Sequence, residues 1–280
     1  MSILYKIAIK ILLTIIKVVP SRWTIAFIER ILLLTNYRKQ VTVNNLRISN
    51  VDKDYIDDSE GFYRKTIYNI ARIITESIYN PKVASIQKLS YAGVHHLEQS
   101  CQDDGGAILL ASHYGNWELA CMHMAKQTKY AVYGVYKPLK NHVFDQWLLD
   151  NRSRYGLDLI PMNKIARTVA ANHANGISAI YILIADQNPR SENSIIWTEF
   201  LGIRTAFSNG AAKLHSKYGL PLYYMNVTPL EELFSYEINI EHLDSTTAES
   251  IVKSYSQRLA GQIRLNPHPW LWSHKRWKRS

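Results

Sequence analysis

The chain has 280 residues, 47% of them apolar, and its formal net charge of +10 corresponds to a pI near 9.4. A chain of this length can bury one large core, and neither a linker rich in proline, glycine or serine nor an internal repeat divides it. The charge indicates an anionic partner, and nucleic acid is the weakest candidate because no helix-turn-helix, zinc-finger or RNA-binding signature accompanies it.

The N-terminal segment, residues 3–19, is almost wholly apolar except for three lysines. At 100° per residue, Lys6, Lys10 and Lys17 fall within about 40° of one another on a helix. The longest uncharged stretch is much shorter than the roughly 20 apolar residues that cross a bilayer, and no small-residue cleavage site follows. The pattern predicts a helix that lies in the membrane interface, with a core-packed helix and a tilted spanning anchor as the alternatives.

The predicted elements continue in chain order. Residues 1–80 are predicted to form a helical, membrane-associated N-terminal part, in which residues 23–34 carry only Glu29 and Arg30 as charges and extend the attachment. From about residue 89, β-type runs at 106–112, 131–136, 177–185, 221–227 and 235–240 alternate with helical candidates at 116–127, 141–155, 164–174 and 208–218. The alternation predicts an α/β fold, a mixed central sheet flanked by helices, over residues 81–280 as one continuous domain.

The first candidate for chemistry is the hexapeptide from His113 to Glu118, which follows the buried apolar run 107–111. A histidine at a strand–helix corner can point into a cleft and take a proton from a hydroxyl nucleophile. Glu118 is predicted to fix the tautomer of His113 and to stabilise its imidazolium, as the orienting carboxylate does in acyl transfer. Taken alone, the pattern leaves a second interpretation open, a histidine that caps a helix or is satisfied in the core.

Three more segments accompany the hexapeptide. They are YKPL at 136–139, ADQNP at 185–189 and WLWSHKRWK at 270–278. With this combination the chain resembles the bacterial lipid A biosynthesis (late) acyltransferase family, within the lysophospholipid acyltransferase superfamily. The resemblance extends from VTVNNLR at 41–47 to the last residues, with the motifs in family order, and it favours the catalytic interpretation of the hexapeptide. It also implies the fold predicted above, an acyltransferase-like α/β sheet.

The resemblance implies further substrate-binding residues. Lys137 stands where the family usually has an arginine, so the charge is kept but the bidentate fork is lost; a solvated lysine at a strand end is the alternative. Arg152 and Arg154 look like the family's Arg-x-Arg-x-Gly stretch, which implies binding of an anionic head group. Two residues apart on a helix, they do not share a face, so at most one is predicted to point into the cleft. Asn116 of the hexapeptide and Asp186 complete the predicted set.

Two other features have two interpretations each. Asp186 ends a buried strand, where open α/β sheets keep their ligands, and it either orients a basic group or holds the loop by accepting from turn amides; the loop role is slightly preferred. The tryptophan-rich end is either an interfacial aromatic belt or a C-terminal strand that packs its indoles against the sheet. Residues 200–210 resemble a family loop that leads to a helix, with Ser208 as the predicted N-cap.

Metal and cofactor sites are not expected from the sequence. His95 and His96 are adjacent and solitary, no other set has metal-ligand spacing, and no cofactor is predicted. The two cysteines, Cys101 and Cys121, give no disulfide framework and fit a reducing compartment.

The function implied by the resemblance is transfer of a fatty acyl chain from an acyl thioester to a hydroxyl of a lipid A precursor. Acyl carrier protein is the favoured donor, and coenzyme A is the alternative. The implied location is the cytoplasmic face of the inner membrane, against anionic lipids. His113 is the predicted base, and backbone amides at the following helix start, with Lys137 nearby, are predicted to stabilise the oxyanion. The alternatives are acyl or aminoacyl transfer to another lipid, such as a glycolipid or an ornithine-type lipid, and a non-catalytic peripheral lipid-binding protein.

Overall fold

The structure, a computed structural model, describes residues 19–79, 88–139, 141–189 and 192–278. The lysine-bearing interfacial helix that the sequence predicts at residues 3–19 lies outside these ranges apart from its last residue. Its placement therefore stays a prediction, as does the division of the chain at residue 80.

Helices and strands alternate over most of the described chain. The helices are α1 (Ser21–Leu34), α2 (Lys39–Ile48), α3 (Lys53–Asp57), α4 (Ser59–Tyr79), α5 (Val94–Asp103), α6 (Trp117–Met124), α7 (His142–Arg152), α8 (Ile165–Ala174), α9 (Gly210–Tyr218) and α10 (Ala248–Leu265). The strands are β1 (Lys88–Ala92), β2 (Gly106–Ala111), β3 (Ala131–Tyr136), β4 (Leu157–Pro161), β5 (Ala179–Ile184), β6 (Ile195–Phe200), β7 (Ile203–Ser208), β8 (Leu222–Pro229) and β9 (Ser235–His242).

Seven of these strands form one mixed sheet in the order β1-β9-β8-β2-β5-β3-β4. Five neighbours, from β8 to β4, run parallel, and β9 reverses direction against β8 and pairs in parallel with β1. β6 and β7 form a separate antiparallel hairpin. The predicted α/β architecture, a mixed central sheet flanked by helices, is confirmed.

Apolar residues cover both faces of the sheet, which explains why the central strands read as unbroken apolar runs. All six residues of β2 are buried. Alternate β2 residues enter two different clusters: Ile108 and Leu110 pack with α9 and α10, and Leu109 and Ala111 pack with α5 and α6. A strand buried on both faces at the centre of the sheet is held rigidly, so the residue that follows it has a fixed position.

The N-terminal helices pack against this sheet and against one another. Leu46 and Phe62 belong to the same buried cluster as the strand residues. α1 lies on α4 through Leu32 and Leu33, which contact the small cluster around Ile67. No helix in the described ranges combines the length and the apolar content needed to cross a bilayer.

The predicted boundaries of the five recognised strands differ from the observed ones by at most two residues. The predictions missed β1, β4, α5 and α10. The predicted loop at 200–210 was wrong: Leu201 and Gly202, both at positive φ, form a tight turn between β6 and β7. Ser208 ends β7, so Asn209 takes the N-cap position of α9, although the Ser208 hydroxyl still accepts from the Gly210 amide.

Candidate active site

His113 lies at the carboxyl edge of the sheet, just beyond β2. β2 and β5 pair with Ala111 opposite Ile184, and the Ala185 amide donates to the Ala111 carbonyl oxygen at 3.0 Å. Two residues beyond that pair, His113 and Asp186 stand level with each other. This edge is where open α/β sheets place their ligands.

The Asp186 carboxylate is 2% exposed and accepts three hydrogen bonds. Its Oδ1 accepts from the His113 ring Nδ1 at 2.6 Å, and its Oδ2 accepts from the His113 backbone amide at 3.0 Å and from the Trp270 indole at 2.9 Å. Burial alone raises the pKa of this carboxyl, but the attraction of His113 and the three hydrogen bonds bring the pKa below its ordinary value. Asp186 is therefore ionised at neutral pH and can stabilise a positive charge on the ring.

The contacts of His113 fix its tautomer. The side-chain amide nitrogen of Gln187 lies 3.1 Å from Nε2 of the ring. An amide nitrogen can only donate, so Nε2 must carry the lone pair and Nδ1 the proton, which it gives to Asp186. The ring also lies edge-on to Trp117, with centroids 4.8 Å apart, and the side chain is 17% exposed. Nε2 is thus the nitrogen whose lone pair can take a proton from a substrate.

Glu118 does not make the predicted contact with His113, and this expectation was wrong. Its carboxylate pairs with Arg152, at 2.5 Å from Nη2 and 3.4 Å from Nε, while both ring nitrogens of His113 have other partners. The physical reason is that Glu118 lies in the first turn of α6 and reaches the end of α7. Asp186, which the sequence analysis slightly preferred as a loop residue, orients the histidine instead.

Asn116 lies inside the protein rather than in a cleft, contrary to its predicted role in substrate binding. It is fully buried; its side-chain oxygen accepts from the Leu119 amide as the N-cap of α6, and its amide nitrogen donates to Glu76 at 2.8 Å. Glu76 is also fully buried and accepts from three more donors, which are Arg72 Nε, the Phe234 backbone amide and the Tyr236 hydroxyl. Because it accepts all of these hydrogen bonds, the buried Glu76 carboxylate holds the start of α6 against α4 and β9.

The other predicted cations do not all lie at one end of the sheet, because Lys137 follows the carboxyl end of β3 and Arg154 precedes the amino end of β4. Lys137 follows β3, whose neighbour is β5, and its side chain is exposed. Arg152 is half-buried and held by Glu118, whereas Arg154 is exposed in the 3-10 turn Ser153–Tyr155 that follows α7. The two arginines face different surroundings, and their binding of an anionic head group stays a prediction.

The C-terminal segment, residues 266–277, closes around the hexapeptide. The Leu271 amide donates to the His113 carbonyl oxygen at 3.0 Å, and the Gly115 amide donates to the Pro269 carbonyl oxygen at 3.1 Å. Trp270 and Trp272 are buried. Of the two interpretations of the tryptophan-rich end, indole packing is therefore the observed one, although the segment forms only an isolated bridge, between Tyr114 and Trp270, rather than a strand.

Arg276 anchors the turn that carries Asp186. Its guanidinium is buried and donates to the Asn188 side-chain oxygen at 2.9 Å and to the Ala206 carbonyl oxygen at 2.7 Å. Burial lowers the pKa of Arg276 to about 10, and the nearby Asp186 opposes that decrease. The Asn188 amide in turn donates to the Lys275 carbonyl oxygen. The C-terminal segment thus holds the turn from both sides.

The sequence analysis assigned no role to Gln187, Trp270, Glu76 or Arg276. Gln187 and Trp270 lie in segments already noted as motifs, so their position was indicated but their contacts were not. Arg276 lies in the same tryptophan-rich motif as Trp270, but its burial was not indicated, because a charge in a basic tail is usually solvated. Glu76, a single charge on an amphipathic helix, gave no signal for the same reason.

The fold and site together define a class: an α/β protein with a carboxylate-oriented histidine at strand ends, an arrangement suited to general-base activation of a hydroxyl. The chain belongs to the bacterial lipid A biosynthesis acyltransferase family, whose model matches residues 3–279. It is therefore an enzyme of the acyltransferase type, which transfers an acyl group to a lipid acceptor. Comparison with curated proteins found no significant match. Within the described ranges, no group of three or more His, Cys, Asp or Glu side chains is placed to hold a metal ion.

Proposed function

We propose that the protein transfers a fatty acyl chain from acyl carrier protein to a hydroxyl of a lipid A-type glycolipid precursor, at the cytoplasmic face of the inner membrane. One observation carries the proposal: in a chain of this family, the Asp186 carboxylate fixes His113 with Nε2 as the proton acceptor. The net charge of +10 suits both an acidic carrier protein and a phosphorylated lipid.

In the proposed reaction, Nε2 of His113 takes the proton of the acceptor hydroxyl as its oxygen attacks the thioester carbonyl carbon. Asp186 holds Nδ1–H and stabilises the imidazolium that forms. The tetrahedral intermediate then expels the thiolate, which receives the proton from Nε2, so that the ester and the free thiol of the carrier are the products. Backbone amides at the start of α6, beside His113, are the proposed oxyanion donors.

Arg152 is the proposed contact for an anionic group of the acceptor. It is half-buried at the same end of the sheet as His113, and Glu118 holds its guanidinium from one side. A positioned guanidinium suits phosphate because its donors form a planar fork. Glu118 then acts by orienting Arg152. The exposed Lys137 and Arg154 are proposed to attract the acidic donor.

The membrane contact is proposed to use the outer face of α1 together with the lysine-bearing segment before it. Trp23, Phe27 and Leu34 are 73%, 65% and 83% exposed and recur at helical spacing with Ile31. Arg22 and Arg30 are exposed on the same helix. Exposed aromatic and aliphatic side chains flanked by arginines are typical of a helix that lies in an anionic membrane surface.

The test of the activity uses purified protein, an acyl carrier protein loaded with fatty acids, and a lipid A precursor, with the products identified by mass spectrometry. We expect the precursor to gain the mass of one acyl chain, and the His113→Ala variant to lose at least ~100-fold of that rate. Acylation of a glycolipid or an ornithine-type lipid in place of the precursor would redirect the acceptor. A protein that binds lipid but transfers no acyl chain would make it a binding scaffold.

A separate test addresses the membrane face. The double variant Trp23→Ser/Phe27→Ser should bind vesicles of phosphatidylglycerol at least ~10-fold more weakly, because each side chain loses the gain of burial. The matched control is Leu265→Ser, which removes a side chain that is also exposed but lies at the end of α10. Equal loss of binding in both variants would show that α1 has no special part in attachment.

A further inference from the structure

Gln187 and Asp186, two consecutive residues of one turn, bracket the imidazole of His113. Asp186 accepts from Nδ1 at 2.6 Å, and the Gln187 amide nitrogen lies 3.1 Å from Nε2. The ring therefore has a partner at each nitrogen before any substrate is bound.

The contact at Nε2 has a chemical consequence. The Gln187 amide nitrogen is a donor, so it uses the lone pair with which Nε2 would accept a proton. While this hydrogen bond lasts, Nε2 cannot act as a base. The Gln187 side chain must move away before the reaction described above can begin.

The side chain can move without its turn. Asp186 is fixed by three hydrogen bonds, Asn188 is held by Arg276 and by the Lys275 carbonyl oxygen, and Pro189 is buried. The Gln187 side chain itself is half-buried, and among the residues that the structure describes its amide nitrogen makes only the contact with Nε2. Rotation of this one side chain frees Nε2 and leaves the histidine in place.

We propose that Gln187 is a gate on the catalytic base, which blocks Nε2 until the acceptor displaces the amide and so suppresses transfer of the acyl chain to water. The inference rests on the proposed function. In the suppressed reaction, the oxygen of water bonds to the acyl carbon, the carbon–sulfur bond breaks, and the proton taken up by Nε2 passes to the thiolate. The products are a fatty acid and a free thiol.

The gate distinguishes the lipid acceptor from water by how each binds to the enzyme. A lipid acceptor contacts the enzyme over its whole length, and part of that binding free energy offsets the loss of one hydrogen bond at Nε2. A water molecule makes no such additional contacts. An acyl thioester that is bound without an acceptor is therefore protected from hydrolysis.

The experiment compares wild type with Gln187→Met, which keeps the length of the side chain but has no N–H donor. The matched control is Gln257→Met, the same substitution at an exposed position of α10. The first measurement is the rate at which diethyl pyrocarbonate modifies His113 in the protein alone, read by mass spectrometry of the peptide that contains it. We expect about a fivefold faster modification in Gln187→Met, the factor that corresponds to one net hydrogen bond, and no change in the control.

The second measurement is thiol release from an acyl-pantetheine thioester in the absence of any acceptor lipid. Gln187→Met should release thiol about fivefold faster than wild type, while its rate of transfer to the lipid stays the same or falls. Equal rates of His113 modification in wild type and variant overturn the gate, whatever the enzyme transfers. Faster modification without faster thiol release also overturns it, because water is then not what the amide restrains.

Failure of the proposed function has a different signature. If the wild-type protein neither acylates a lipid nor releases thiol, both the acyl transfer and the gate are excluded, even if diethyl pyrocarbonate modifies His113 faster in Gln187→Met. Faster modification together with faster hydrolysis, in a protein that does acylate lipid, supports the gate.

Discussion

Two regions beside His113 each carry one carboxylate, and the two carboxylates differ in burial and in partner. In the turn after β5, Asp186 is buried, contacts the imidazole and is held in place by the C-terminal segment. In the first turn of α6, Glu118 is half-buried and pairs with Arg152. Glu118 is much nearer to His113 along the chain, yet Asp186 is its partner in space. Pairing of neighbouring parallel strands, rather than spacing along the chain, therefore decides which carboxylate orients the base.

The largest expected effect comes from removing the charge of Asp186. Asp186→Asn keeps the size of the side chain but removes the charge and favours the wrong tautomer of His113, so kcat should fall by about 10³–10⁴-fold. The measurement is steady-state kinetics, with circular dichroism to establish that the variant is folded. A loss below about tenfold would leave His113 without its assigned orienting group.

The next effect tests whether Glu118 acts through Arg152. Glu118→Gln frees the guanidinium, so we expect about a tenfold increase in the KM for the acceptor, with kcat largely kept. In an Arg152→Gln background the same substitution should have no further effect, because the partner is already absent. If Glu118→Gln lowers kcat equally in both backgrounds, Glu118 acts on the chemistry by another route.

The pH dependence of the free energy of unfolding distinguishes the two regions. His123 on α6 is buried, and burial lowers its pKa from 6.5 to about 4. The unfolded chain therefore binds this proton more readily, so the free energy of unfolding falls as the pH drops from about 6.5 to about 4. Asp186 acts in the same direction but at lower pH: because its pKa is lowered, its stabilising contribution is lost as the pH falls below its ordinary pKa of 3.8.

The matching variant is His123→Phe, which keeps the aromatic contact with Tyr155 and has no proton to bind. Its loss of unfolding free energy between pH 7 and pH 4.5, measured with urea, should be smaller than the wild-type loss by about 2 kcal/mol. His268, whose pKa is also lowered to about 4 by burial, remains in the variant and keeps part of the pH dependence. Identical pH profiles for the two proteins would contradict the buried, neutral state of His123.

The smallest expected effect concerns Lys137. Because its side chain is exposed, Lys137→Met should raise the KM for the acyl carrier protein no more than about threefold, and added salt should erase the difference. The control is Lys253→Met, an exposed lysine on α10. A tenfold or larger loss in kcat would place Lys137 at the reacting atoms.

The strands and the histidine could be predicted because their signals are local. A central strand buried on both faces is an apolar run, and His113 stands at the end of such a run. The position of Asp186 at the end of an apolar run was predicted in the same way. The hairpin of β6 and β7 has no long apolar run and contains a sharp turn at Gly202, and that sequence was mistaken for a loop.

The partner of His113 could not be predicted from spacing. Its identity depends on which strand lies beside β2 and in which register, and that pairing is set by the whole sheet. Trp270 depends in addition on how the C-terminal segment folds back across the hexapeptide. Each contact joins parts of the chain that are far apart, so no local window contains it.

The position of Trp270 in the chain has a consequence for biosynthesis. His113 leaves the ribosome long before the segment that supplies the indole and the backbone contacts around the hexapeptide. At about 5–20 residues per second, the stretch between His113 and Trp270 takes roughly 10–30 s to translate. A nascent chain, or one cut short before Trp270, carries the histidine without the groups that hold its carboxylate partner. The contacts around His113 are therefore complete only after the segment around Trp270 has been translated.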